Sequence, residues 1–373
     1  MTLDDVLRLE GGQVLATLIR MTGDIGIAED ALQEAMIVAV ERWSDTSMPE
    51  NPGAWLTTTA RNKALDRLRR EARRSEKERE AVALLDRQLD EPNEPTDLLR
   101  LLFTCCHPAL SAESQVALAL RTLCGLTTPE IASVFLVQDS TMGQRISRAK
   151  KKIAMARIPY RVPADHELPD RLPPVLATLY LVFTTGHHAP SGALDSRVDL
   201  ADEAIRLTRT LVSLMPDEPE AVGLLALRLA SHDRRSARLG PDGSIVLLAD
   251  QDRGRWDHAM IAEASGLVEG ALRRRGAGEY RLQAAIACLH GLAPSFEETD
   301  WPQIAELYRL LESVRPTPVV RVNRAVAEAQ AFGPDRGLRL MDGVDGVDDW
   351  HLYWSTLADF HRRLSDTRAA ADA

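Results

Sequence analysis

The sequence predicts an all-α protein built from several helical modules. Ala, Leu and Arg are abundant, aromatic residues make up only 5% of the chain, and alternating β-branched runs are scarce, so no stretch reads as a strand. Amphipathic segments with a 3.6-residue period recur along the whole length, separated by Pro-rich stretches. At 373 residues, with 45% hydrophobic and 27% charged residues, the chain can bury two or three cores. A formal net charge of -10 argues against a surface coated for nonspecific nucleic-acid binding, so any DNA-binding surface must be local. Two stretches qualify: the Arg-rich run from Arg61 to Arg79, and Arg145 to Lys152.

The blocks follow in order. In residues 1–74 the helix from Ala28 to Trp43 buries Leu32, Ala35, Met36, Ala39 and Trp43 and turns Asp30, Gln33, Glu34, Ile37 and Glu41 outward. An acidic face that keeps an exposed isoleucine suits a basic protein partner; an ordinary solvated face is the competing reading. After the polar loop SDTSMPENPG, the helix from Trp55 to Arg70 places Lys63, Arg67 and Arg70 on one side. Residues 75–97 are charged and contain LDEPNEPTD, a linker composition. In residues 98–156, Leu101, Leu102 and Phe103 mark a core helix, so the neighbouring Cys105 and Cys106 read as packing residues.

Within that block, Thr127 to Ile153 reads as two short helices around a tight turn. Thr127 and Glu130 have capping-box spacing, and Asp139 or Ser140 caps the second helix. On a wheel, Met142, Ile146, Ala149 and Ile153 share the back; Ser140, Gln144, Ser147, Arg148 and Lys151 share the front. A front of short polar donors and arginine, with a basic C-terminal end, suits a major groove: side chains reach base edges while cations neutralise phosphates. The turn Leu136-Val137-Gln138 lacks the glycine common there, and Gly143 sits inside the second helix instead.

The start MTLDDVLRLEGG lacks the basic n-region and apolar core of a signal peptide, and no apolar run approaches membrane-spanning length; the expected location is cytoplasmic, with no membrane partner. Cys105, Cys106, Cys124 and Cys288 fit reduced thiols. No metal, cofactor or catalytic residue is expected: Cys105-Cys106-His107 lacks a second ligand pair, and Asp250 and Asp252 read as caps for a helix beginning near Arg255 or as arginine partners.

AEDALQEAMIVAVERW followed by NPGAWLTTTARNKALDRLRR resembles region 2 of an extracytoplasmic-function (ECF) sigma factor, and Leu118 to Ile153 resembles its region 4. The resemblance implies a non-enzymatic promoter-specificity subunit whose partners are RNA polymerase core, through the clamp helices of its largest subunit and the flap, and promoter DNA. By that resemblance Asp30, Gln33 and Glu34, with Ile37 and Glu41 on the same face, dock on polymerase. The loop from Asp45 to Asn51 receives a flipped base, and Asn51, Trp55, Arg61, Asn62, Lys63, Arg67 and Arg70 serve the -10 element. The second helix of the opening motif serves the -35 element through Ser140, Thr141, Gln144, Arg145, Arg148, Lys151 and Lys152. Strand separation needs cations for the backbone and a stacking surface for an extruded base, which this set contains.

Beyond the Pro-rich connector 157–170, residues 171–373 hold repeated amphipathic segments: Leu172–Thr185, Arg197–Leu214, Pro219–His232, Arg255–Arg274, Glu279–His290, Trp301–Leu311, Pro318–Ala331 and Trp350–Leu364. The tail resembles tetratricopeptide (TPR)-type material, and the whole resembles the ECF subgroup with a fused C-terminal helical extension. That implies a modulating domain in place of a separate anti-sigma factor, open to a regulatory protein or ligand. The segment Thr184 to His188 departs from the asparagine, glutamate, glycine and tyrosine usual there. The reading from another class is a two-domain helix-turn-helix regulator, or a TPR scaffold, that acts without polymerase.

Overall fold

The computed structural model describes residues 3–43, 48–72, 95–187, 198–240, 244–274, 276, 278–344, 347 and 350–365. Among these residues the chain is helical, with no strand beyond one isolated bridge between Leu239 and Ile245. It divides into two compact units, Met1–Ala204 and Ile205–Ala373.

In the N-terminal unit, α1 (Leu3–Thr22), α2 (Ile25–Arg42) and α3 (Pro52–Ala72) pack on one another. Asp24 caps α2 by accepting from the Ile27 N–H at 2.9 Å, and Ala28, Ala31, Leu32, Ala35 and Ala39 form its buried stripe. Small residues on that stripe let the three helices approach closely. Then come α4 (Pro95–Cys105), α5 (Ala112–Thr122), α6 (Thr128–Val134), α7 (Asp139–Met155) and α8 (Leu168–His187).

Pro95 to Asp97, read above as linker, form the first turn of α4. The Asp97 carboxylate is fully buried and accepts from Arg20 Nε at 3.0 Å, an Arg100 guanidinium nitrogen at 2.6 Å and the Thr17 hydroxyl at 3.3 Å. An unpaired buried carboxylate is costly, so this knot holds α1 to α4. The connector adds to it: the Tyr160 hydroxyl reaches the carbonyls of Ala16 at 2.6 Å and Asp97 at 3.0 Å. Burial, with the Asp97 charge beside it, pushes the Tyr160 phenol up from its ordinary range. Gly12 completes the seam, because a Cβ there would stand 2.7 Å from the Leu123 carbonyl oxygen.

The C-terminal unit begins within α9 (Val198–Leu214) and continues through α10 (Pro219–His232), α11 (His258–Leu272), α12 (Glu279–Leu292), α13 (Trp301–Val314), α14 (Pro318–Phe332), α15 (Pro334–Met341) and α16 (His351–Arg363). From α12 on, each helix packs on the next in the chain. Leu282, Ile286, Ile304, Ala305, Leu311 and Ala327 join α12 to α14, and Val322, Ala325, Ala329, Met341 and Phe360 join α14 to α16. Gly223 allows α10 to lie against the backbone of α12, where a Cβ would meet the Arg281 nitrogen at 2.7 Å. Two expectations change here. The helix read as starting near Arg255 starts at His258, because Asp257 caps it by accepting from the amides of Ala259 and Met260; Asp252 caps only a short 3-10 turn, Arg253–Arg255. The α15 helix, opened by Pro334, was not among the expected segments.

Candidate functional site

The outer face of α2 carries Asp30, Gln33, Glu34, Ile37 and Glu41, all exposed or half-buried. Ile37 and its neighbour Val40 are each 59% exposed, an apolar patch on an acidic ridge. Trp43 ends the helix, buried, and meets Trp55 of α3 edge to face at 4.9 Å between ring centroids. Asn51 caps α3, its side-chain oxygen accepting from the Ala54 amide at 2.9 Å. Arg61 is half-buried on α3 and Asn62 exposed.

The structure brings together two faces that the sequence reading assigned to different partners. Arg67 pairs with Asp30 at 2.5 Å and Lys63 with Glu34 at 3.6 Å, so the cations of α3 lie along the acids of α2. All four side chains remain partly exposed, and such pairs are worth about 0–1 kcal/mol, little enough to be exchanged for other partners. Arg70 lies in the last turns of α3, but its side chain falls outside the described residues, as do residues 45–47 of the expected base-receiving loop, Asp45 to Asn51.

The helix-turn-helix is α6 and α7. The Thr127 side chain accepts from the Glu130 amide and Glu130 accepts from the Thr127 amide at 2.7 Å, closing the capping box. The turn places Leu136 at φ 52 with 92% exposure, a left-handed position that normally favours glycine. The expected cap at Asp139 or Ser140 is corrected: α7 starts one residue earlier, with extended Gln138 as N-cap and no side-chain cap bond. Asp139 then sits in the first turn, where its charge favours the helix dipole.

Met142, Ile146, Ala149 and Ile153 are buried, as the wheel predicts. Ser140, Thr141, Gln144, Ser147, Arg148, Lys151 and Lys152 are exposed on the other side. The basic run nevertheless meets acids from elsewhere in the fold. Arg145 turns back to Glu113 at 3.0 Å and over the Phe135 ring at 5.4 Å, and Lys150 pairs with Glu29 of α2. Arg148, Lys151 and Lys152 make no such pair among the described residues. Gly143 leaves room: a Cβ there would lie 3.8 Å from the Thr128 methyl.

Cys105, Cys106, Cys124 and Cys288 are free and buried. Burial pushes the Cys106 thiol up to about 12, and the Cys105 thiol lies 3.2 Å from the Thr122 hydroxyl. The His107 ring nitrogen Nδ1 accepts from the Ala109 amide, and burial with nearby Arg171 holds its pKa below the ordinary imidazole value. No group of three or more His, Cys, Asp or Glu among the described residues could hold a metal ion, and no described helix is long and apolar enough to cross a membrane. His188, of the departing Thr184 to His188 segment, lies outside the described residues.

The sequence reading missed Asp97, Tyr160, Gly12 and Glu29. Only Asp97 carried a local signal, since Pro95-Thr96-Asp97 with Arg100 three residues on is a helix start.

The same segments match known families. Residues 7–74 match sigma-70 region 2, residues 100–153 match sigma-70 region 4, and residues 171–272 match a family of unknown function, DUF6596. The ECF RNA polymerase sigma factor SigL of Mycobacterium tuberculosis (strain ATCC 25618 / H37Rv) is 31% identical over 147 residues, 37% of this chain and 78% of SigL. The probable ECF sigma factor SigI of that organism is 29% identical over 160 residues, 41% of this chain and 54% of SigI. A region 2 helical module followed by a region 4 helix-turn-helix defines a sigma factor, and the chain belongs to the ECF sigma factor family. Within it stands an extended form: an uncharacterized protein of Rhizobium meliloti (strain 1021) is 43% identical over 354 residues, 92% of this chain and 84% of that protein. No solved structure matches the chain.

Proposed function

We propose that this protein binds RNA polymerase core and directs promoter-specific initiation, reading a -35 element with α7 and opening a -10 element with α3 and the loop before it. The observation that carries the reading is α7, whose back is buried while Ser140, Thr141, Gln144, Arg148, Lys151 and Lys152 face outward together. Arg145 supports that face from behind through Phe135. The acidic α2 ridge with exposed Ile37 is the polymerase contact, directed at the clamp helices of the largest subunit, with the flap as a second contact for region 4. The described N-terminal unit is closed, with Lys150 of α7 held by Glu29 of α2. Elements roughly 25 base pairs apart lie about 85 Å apart at about 3.4 Å per base pair. A compact unit of this length spans only about 45 Å, so engaging both elements requires the seam between α1 and the α5–α6 turn to part.

The 171–373 region modulates this activity. Its consecutive helix pairing, with helix starts at Pro302, Pro318 and Pro334, supports a TPR-like array. Run-off transcription with purified core polymerase tests the reading: promoter-dependent transcripts that require this protein support it, and none from any promoter sinks it. Charge reversal at Asp30 and Glu34 abolishes core binding while region 4 still binds DNA; unchanged core binding refutes the docking face. Arg148→Ala weakens -35 binding without changing core affinity, and an unaltered footprint refutes that contact.

A further inference from the structure

The C-terminal unit contains a polar centre that its own residues leave unsatisfied. It lies where the end of α10, the turns between residues 248 and 257, and the end of α12 meet, joined by the Asp257 amide donating to the Asp233 carbonyl at 2.8 Å. Asp233 is 3% exposed, and no side chain hydrogen-bonds to either carboxylate oxygen; the Arg234 backbone amide beside it is the one group that favours its charge through the backbone. Its Oδ2 lies 3.6 Å from where a Cβ on Gly291 would stand, which fixes the carboxylate beside His290 and Gly291. The end of α10, the same turns and the end of α12 carry further buried polar atoms without partners: Arg234 Nε, one terminal nitrogen of Arg253, Trp256 Nε1, His290 Nδ1 and the Gln251 side-chain oxygen.

The remaining contacts hold these groups in place. Arg253 donates from its other terminal nitrogen to the carbonyls of His290 at 2.7 Å and Ala293 at 2.8 Å, and its guanidinium lies 4.5 Å from the Trp256 ring centroid. The His290 ring meets Trp301 edge to face at 5.2 Å, and Gln251 donates to the Val246 carbonyl at 3.0 Å. No ion pair joins Asp233 to Arg234 or Arg253 among the described residues. Burial pushes the Asp233 carboxyl up to about 6 despite the Arg234 charge beside it, while burial also holds the Arg234 and Arg253 guanidiniums below their ordinary value. Asp233 and Arg234 each favour the other's charge, but burial outweighs that attraction in both. A native fold rarely leaves so many buried polar atoms unmatched in one place, and each calls for a partner.

We propose that this centre is a binding site for a small zwitterion of the amino-acid class, its carboxylate received by Arg234, Arg253 and Trp256 Nε1 and its ammonium by Asp233 and the Gln251 oxygen. The donors supply the fork geometry that a carboxylate matches, and the acceptors supply what an ammonium needs. Arg253, Gln251 and His290 are only half-buried, so the centre lies close beneath the surface on that side. The site does not depend on the transcription reading, because binding is measured directly.

The test uses the full-length chain in thermal-shift and titration-calorimetry experiments with the protein amino acids at millimolar concentration. Acetate, inorganic phosphate and methylammonium serve as single-function probes. At least one amino acid raises the unfolding midpoint with increasing concentration and saturates a single site, while the single-function probes do not. Asp233→Asn weakens that binding about 10-fold or more, the loss of one charge-assisted contact; Arg253→Lys, which keeps the charge but not the fork, provides the same reading if the first variant does not fold. A centre filled only with water gives no shift with any amino acid and overturns the proposal, as do single-function probes that bind equally well or an Asp233→Asn chain with unchanged affinity.

Discussion

Asp233→Asn should make the ligand-free C-terminal unit more stable at neutral pH, although it removes a buried charged side chain. In the folded chain burial raises the Asp233 carboxyl from about 3.8 to about 6. A rise of about 2 units costs the ionised form about 3 kcal/mol at pH 7, at about 1.4 kcal/mol per unit. The sign follows from proton uptake: on acidification the folded state takes up this proton before the unfolded state does. Asp233 therefore adds stability as pH falls from about 6 to about 4. His290 works in the opposite direction. Burial, with Arg234 and Arg253 nearby, lowers its pKa from 6.5 to about 4, so the unfolded state protonates first and stability falls across nearly the same interval, also by about 3 kcal/mol. The two slopes nearly cancel in the wild-type chain. Asn removes one of them. Its amide still lacks partners, so the expected gain at pH 7 is about 1–2 kcal/mol, followed by a decline towards pH 4 that the wild type lacks. Urea unfolding from pH 4 to pH 7, with hydrogen exchange at the α10 and α12 amides to restrict the reading to this unit, measures both effects. A variant less stable than wild type at pH 7, or one whose stability does not fall on acidification, refutes the reasoning.

Three further perturbations test the N-terminal unit. Asp97→Ala leaves Arg20 and Arg100 beside an empty site and should cost about 3 kcal/mol in urea unfolding; a loss under about 1 kcal/mol would show that the knot is not structural. Gly143→Ala should raise stability by about 1 kcal/mol, because the new methyl has ordinary contact distance to Thr128, and DNA affinity measured by anisotropy should not fall. A drop in affinity would mean that DNA approaches the backbone at that point. Gly12→Ala should push α1 from the Leu123 carbonyl, cost about 1–3 kcal/mol and speed hydrogen exchange along α1; unchanged exchange would mean that the seam yields without strain.

Much of the fold was legible in the residues because helix periodicity is local. The buried back of α7 and the bounds of α10 were readable from hydrophobic spacing and from a leading proline, and the Thr127–Glu130 box from a spacing of three. The small discrepancies fall at helix ends, where several polar residues compete to cap: Gln138 rather than Asp139 or Ser140, and Asp257 rather than Asp252. The outward-facing residues of α2 and α7 were likewise readable, since a wheel says which side a residue occupies.

A wheel does not say what that side meets. Asp30 and Arg67, Glu113 and Arg145, and Glu29 and Lys150 became pairs only when separate helices packed together, and Asp97 became a buried anchor only because Arg20 and Thr17 arrived from α1. The polar centre around Asp233 is the extreme case. Asp233, Arg253 and His290 stand far apart in the sequence, on separate segments; only the tertiary structure brings the end of α10, the turn at Arg253 and the end of α12 together. The sequence by itself determined which segments are helices and which sides are apolar, because backbone hydrogen bonds and side-chain period act within a few residues. Partners, burial and protonation depend on what lies across the gap between helices, and that is set by packing between residues far apart in the chain.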